Sequence, residues 1–142
     1  MKVSEAMTAQ VVTARPSATV AEVARTMAEI ESGAVPVIDD GKVVGLVTDR
    51  DIVVRVVAKG GSPDTPVREV MTEGAETCRE DDNLSDAAAA MASRQIRRLV
   101  VLNEAGNLAG ILSLGDIAVD YGAKVVGKTL EEISAEPPSP IH

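Results

Sequence analysis

Gly45-Leu46-Val47-Thr48-Asp49-Arg50-Asp51-Ile52 and Gly110-Ile111-Leu112-Ser113-Leu114-Gly115-Asp116-Ile117 are one pattern written twice, 65 positions apart. Each copy reads glycine, two apolar residues, a hydroxyl residue, two variable residues, aspartate, isoleucine. The copying extends outward. Val3-Ser4-Glu5-Ala6-Met7-Thr8 returns as Val67-Arg68-Glu69-Val70-Met71-Thr72 at an offset of 64, which also carries Val20 to Leu84, Val23 to Ala87, Ala24 to Ala88 and Met27 to Met91. One inserted residue near Ala105 explains the change of offset. Similarity at fixed spacing across almost a whole unit marks an internal duplication, whose units are expected to fold to one plan.

Both copies carry the same local signals. The β-branched run 11–14, closed by Arg15-Pro16, predicts a strand. Thr19 and Glu22 form a capping-box pattern, and Val20, Val23, Ala24 and Met27 follow as a helical stripe. That helix is expected to end near Ser32-Gly33. Two apolar runs around Asp39-Asp40-Gly41 predict a hairpin with a glycine turn. A second helix is expected over 49–59. The second copy repeats this with a strand at 75–78, a helix over 83–94, a hairpin across 99–112 and a helix from Gly115. The fold class is therefore α/β (α+β), as two tandem βαββα repeats. The expected division is repeat 1 at 1–60, a linker at 61–66 with Thr65 as N-cap and Pro66 as N1 of the next short helix, repeat 2 at 67–122 and a C-terminal extension at 123–142 ending in a Pro-rich tail.

Composition narrows the function. The chain has 142 residues, 45% of them apolar, with no Phe or Trp and one Tyr, so aliphatic side chains must build the core. A net charge of −8 and a near-absence of aromatics argue against nucleic acid, which calls for basic counterion-releasing surfaces and stacking platforms. The opening residues lack a signal-peptide core, and no run approaches the roughly 18 apolar residues of a membrane span. A cytoplasmic location away from membranes is expected. Cys78 is the sole cysteine, read as a buried apolar thiol in a reducing compartment. His142 is the sole histidine, so no zinc constellation is available, and no nucleophile–base pairing exists. The protein is not expected to be an enzyme.

The repeated motif carries the chemistry. Thr48 and Ser113 leave a strand end, and Asp51 and Asp116 follow three residues later in a first helical turn. Free amides there favour anions, and such a carboxylate can accept both hydroxyls of a ribose. The plainer alternative is an N-cap with an acidic residue complementing the helix dipole.

These strings, with Ser32-Gly33-Ala34-Val35-Pro36-Val37, resemble the CBS domain family over about residues 3–121, and the chain is similar to small stand-alone bacterial CBS pairs of the hypoxia-response type. The resemblance implies repeats packed through their sheets, clefts between them for AMP, ADP, ATP or related ligands such as NAD or S-adenosylmethionine, and a homodimer acting on an unknown protein target. It assigns ribose to Asp51 and Asp116, polar contacts to Thr48 and Ser113, and the surroundings of the base to Thr13, Thr77, Val35 and Pro36. No cofactor is required; an adenine nucleotide is the expected regulatory ligand. Gln95-Ile96-Arg97-Arg98 resembles a string in the γ subunit of AMP-activated protein kinase where a His-Arg pair meets phosphate. Arg98 matches the arginine and Arg97 replaces the histidine, whereas repeat 1 has Gly33 and Ala34. The alternative is two solvated arginines before a strand. A CBS-fold interaction or stress-response protein without a nucleotide remains the second functional reading.

Gly122-Ala123-Lys124-Val125-Val126-Gly127-Lys128-Thr129 matches the P-loop spacing, which would make the chain an NTPase. A P-loop follows a strand and opens a long helix in a large α/β domain. Here it follows a predicted helix and Pro137 comes soon after, so coincidence is the preferred reading.

Overall fold

The computed structural model describes residues 1–9 and 11–121. In chain order the elements are α1 (Val3–Ala6), α2 (Val20–Ile30), β1 (Ala34–Asp39), β2 (Lys42–Thr48), α3 (Asp49–Ile52) continuing into a π turn (Val53–Val57), a 3-10 turn (Val67–Glu69), β3 (Thr72–Glu73), β4 (Thr77–Arg79), α4 (Leu84–Arg94), β5 (Arg98–Leu102), β6 (Leu108–Ser113) and α5 (Leu114–Tyr121). Among the described residues the strands form two three-stranded sheets, β1-β2-β3 and β4-β5-β6. The mixed helix-and-strand class is as expected.

The chain packs as two compact units. One comprises Val11–Ala75; the other joins residues 1–9 to 76–121. These units cut across the sequence repeats. The lead segment of repeat 2 contributes Val67, Val70 and Met71 to the core of the first unit, beside Val20, Val23, Val35, Val37 and Val47. The lead segment of repeat 1 contributes Val3 and Ala6 to the other core, beside Leu84, Met91, Leu99, Val101 and Leu112. Each lead segment presses on the motif glycine of its unit. A Cβ on Gly45 would lie 2.7 Å from Met71 Sδ and 2.9 Å from the Thr72 carbonyl, and one on Gly110 would collide with the Thr8 carbonyl. The two motif glycines thus admit a neighbouring chain.

The hairpins follow their turn chemistry. Asp40 and Gly41 both have positive φ (50° and 76°), as a two-residue type I′ turn requires. In the longer loop of the second copy Gly106 takes φ 83° and its amide donates to the Asn103 carbonyl at 2.9 Å. Both hairpins slip register at matched places, after Val37 and after Val101.

Several local expectations change. The run 11–14 makes one parallel bridge, Ala14 to Val37, and no regular strand; its counterpart is the strand β4, which starts at Thr77. Ala24 is exposed, so Val20, Val23 and Met27 alone bury the face of α2, while Ala88 at the matching place is buried. Helix α2 ends two residues early because Glu31 turns left-handed (φ 53°). Pro66 is the N-cap of the 3-10 turn; the Thr65 carbonyl accepts from the Val20 amide (2.9 Å) and its hydroxyl donates back to the Ser62 carbonyl (2.7 Å). The β-branched run after Ile52 opens from α- into π-hydrogen bonding, with the Ala58 amide donating to the Val53 carbonyl at 2.8 Å.

Candidate functional site

Strand alternation sorts the candidate residues by face. In the first unit Val35, Val37 and Val47 point into the core. Pro36 points the other way, as does Thr48, paired across from Ala34. Thr13 precedes Ala14, which packs on the core, so Thr13 belongs with Pro36 on the outer face. Val35, expected beside a base, is 1% exposed and lies in the core, on the opposite side of its strand from Pro36. Its outer-face neighbours are Ala34 and Pro36. Thr13 also lines an open groove of about 450 Å³ together with Arg15, Ser17, Glu22 and Thr26.

The second unit repeats the arrangement. Leu99, Val101 and Leu112 enter the core. Thr77 pairs with Val100, and Arg98 pairs with Ser113, all on the outer face. Arg98 is half-buried and Arg97 exposed, and neither forms an ion pair among the described residues.

At both strand-to-helix corners hydroxyl and carboxylate form a reciprocal capping box. The Thr48 amide donates to Asp51 Oδ2 at 2.9 Å and the Asp51 amide donates to Thr48 Oγ1 at 3.1 Å. The matching distances for Ser113 and Asp116 are 3.0 and 3.1 Å. The shared spacing therefore has a structural cause, a cap that fixes the aspartate at the corner. Each carboxylate keeps its second oxygen outside the box.

Sequence reasoning missed Arg55. Its Nη1 donates to the carbonyls of Val70 (3.1 Å) and Met71 (3.3 Å), and its Nε lies 3.8 Å from Asp51 Oδ1. The i, i+4 spacing from Asp51 was the available signal; the link to the lead segment spans 15 residues and was not legible. Cys78 is only half-buried, not enclosed; burial, with Asp82 adding to it, pushes its thiol up to about 11, which keeps it protonated and unreactive. The acidic runs at Asp39-Asp40 and 80–82 form no metal cluster among the described residues. The P-loop-like string 122–129, the Pro-rich tail and His142 lie outside those residues.

Two copies of one hairpin-and-helix module, each with a capped carboxylate at a sheet corner, define a duplicated α+β module. The family model of the CBS domain matches residues 3–58 and 67–121. This chain belongs to the CBS domain family, as a tandem pair. It is 41% identical to the CBS domain-containing protein YhcV of Bacillus subtilis over 133 residues, 93% of this chain and 94% of that one. The conserved CBS domain protein TA0289 of unknown function from Thermoplasma acidophilum superposes with a TM-score of 0.84 at 26% identity, covering 96% of this chain and 78% of that one. The CBS domain protein PAE2072 from Pyrobaculum aerophilum, solved in complex with AMP, superposes with a TM-score of 0.78 at 27% identity, over 96% of this chain and 100% of its own.

Proposed function

We propose that this protein is a non-enzymatic regulatory module of the cytoplasm that binds an adenosine-type ligand, of the AMP, ADP or ATP class, and passes its occupancy to a protein target. The observation that carries this is the outer-face cluster of the second unit. There Asp116 is held by its cap, Arg98 stands across from Ser113, and Thr77 lies one strand over. Ribose, phosphate and base recognition are all offered on one face. A similar solved protein holds AMP. NAD and S-adenosylmethionine share the same ribose and base. In the first unit Thr13, Pro36, Thr48 and Asp51 offer the ribose and base parts alone.

The test is a thermal-shift series with AMP, ADP, ATP, NAD and S-adenosylmethionine. A ligand at about 100 times its Kd adds roughly 2.7 kcal/mol, a rise of about 5–10 °C for a chain of this size. No shift with any of the five at millimolar concentration would overturn the reading. It would leave a CBS-fold interaction protein whose Thr/Ser-x-x-Asp strings act purely as caps, the reading that the capping distances favour.

We also infer a homodimer. Ile52, Val56 and Ile117 are buried in their own cores, but Val53 (56% exposed), Val57 (67%) and Val119 (84%) leave apolar helix surface outside. Light scattering at tens of micromolar reads the mass directly; a monomer contradicts the inference.

A further inference from the structure

The two strand-to-helix corners share a backbone hydrogen bond that fixes which residues correspond in space. The Asp49 amide donates to the Gly33 carbonyl at 2.9 Å, and the Leu114 amide donates to the Arg97 carbonyl at 3.1 Å. Gly33 therefore answers to Arg97 and Asp49 to Leu114. The exchange is concerted. A Cβ on Gly33 would lie 2.7 Å from Asp49 Oδ2 and 2.9 Å from its Cγ, so the Asp49 carboxylate fills the space where a side chain at 33 would begin. In the second unit Leu114 is buried in the core instead, and the arginine stands in the open.

The electrostatic result is an inversion. The first corner presents the exposed Asp49 carboxylate beside Gly33 and Ala34. The second presents Arg97 and Arg98 beside Leu114 and Gly115. Arg50, which follows Asp49, is engaged in interactions of its own; Asp49, Arg50, Asp51 and Arg55 together leave the first corner neutral, whereas Arg97, Arg98 and Asp116 leave the second at +1.

We propose that Asp49 is a specificity-determining residue that keeps phosphate away from the first repeat's corner. That corner then selects adenosine ligands whose 5′ end is uncharged or cationic, while phosphorylated ones go to the second. This rests on the adenosine-binding reading above and names the ligand class for each half of it.

Calorimetry on the full chain with AMP and with adenosine tests it. Wild type is expected to bind one AMP per chain tightly. Asp49→Asn keeps an oxygen for the Arg50 amide (2.8 Å to Asp49 Oδ1), so the helix start is preserved. It should strengthen the weaker AMP site by about threefold, the scale of one partly screened surface charge. Gly33→Arg combined with Asp49→Leu installs the second repeat's pair; Gly33 has no positive φ to forbid it. That variant should bind two AMP per chain, with a gain of at least about tenfold at the new site, the worth of one charged hydrogen bond. Adenosine affinity should not move in either. Two equal AMP sites in wild type, or unchanged AMP binding by Asp49→Asn, overturns the proposal while adenosine binding still stands. If wild type binds neither probe, the adenosine reading fails and this one with it.

Discussion

The first and second repeats share a backbone plan down to the hairpin slip after Val37 and Val101, yet they differ wherever a ligand's charge would be felt. Beside its capped aspartate the first repeat holds Arg55, reaching Asp51 at 3.8 Å, and the Asp49 carboxylate over Gly33. The second holds Arg97 and Arg98, which form no ion pair among the described residues. Identical caps with opposite neighbours separate the shared frame of the motif from the residues between and opposite its positions, where the two repeats differ in charge.

The largest expected effect breaks the frame. Gly110→Ala drives a methyl hard into the Thr8 backbone, whereas Gly45→Ala meets the flexible end of Met71 at 2.7 Å and overlaps the Thr72 carbonyl less severely, at 2.9 Å. Urea denaturation should show a loss of about 3 kcal/mol for Gly110→Ala and clearly less for Gly45→Ala, within the usual range for overpacking. Equal losses would mean that the two lead segments are held alike.

The next tests the chemistry on the frame. Arg98→Ala should weaken AMP and ATP by at least tenfold and leave adenosine nearly unchanged, since a charged hydrogen bond to phosphate is worth roughly 1.5–3 kcal/mol. Calorimetry with AMP and adenosine side by side decides it. Untouched AMP binding would make Arg97 and Arg98 ordinary solvated residues.

The smallest concerns the caps. Asp51→Ala and Asp116→Ala each remove one reciprocal hydrogen bond and should cost about 1 kcal/mol by denaturant titration. Asp51→Ala should cost somewhat more, because it also strands Arg55, which then holds only the carbonyls of Val70 and Met71. Only Asp116→Ala should also lower affinity for AMP and adenosine together at the tight site. An Asp116→Ala protein that binds AMP normally would reduce the motif to capping alone.

Much was legible beforehand because its causes are local. Thr19 and Glu22 cap α2 through their own side chains, at 3.1 Å in both directions. Asp40-Gly41 turns the hairpin through its own φ angles. The heptad-like stripe of α2 was read almost correctly; Ala24 failed because a small residue at the edge of a stripe buries only if a neighbour reaches it. Val35 and Pro36 stand next to each other in the sequence but point to opposite sides of their strand, because adjacent strand residues alternate faces.

The sequence by itself determined the duplication, the hairpins, the caps and the correspondence of Asp51 with Asp116, because each is written in periodicity, turn chemistry or repeated spacing. Only the tertiary structure decided which lead segment completes which core, why Gly45 and Gly110 must be glycine, that Arg55 joins Asp51 to the Val70–Met71 backbone, and that Asp49 fills the space above Gly33. Those are contacts between residues at least 15 apart in the chain, or a side chain's choice among open rotamers. Such choices are made by packing, and no local pattern encodes them.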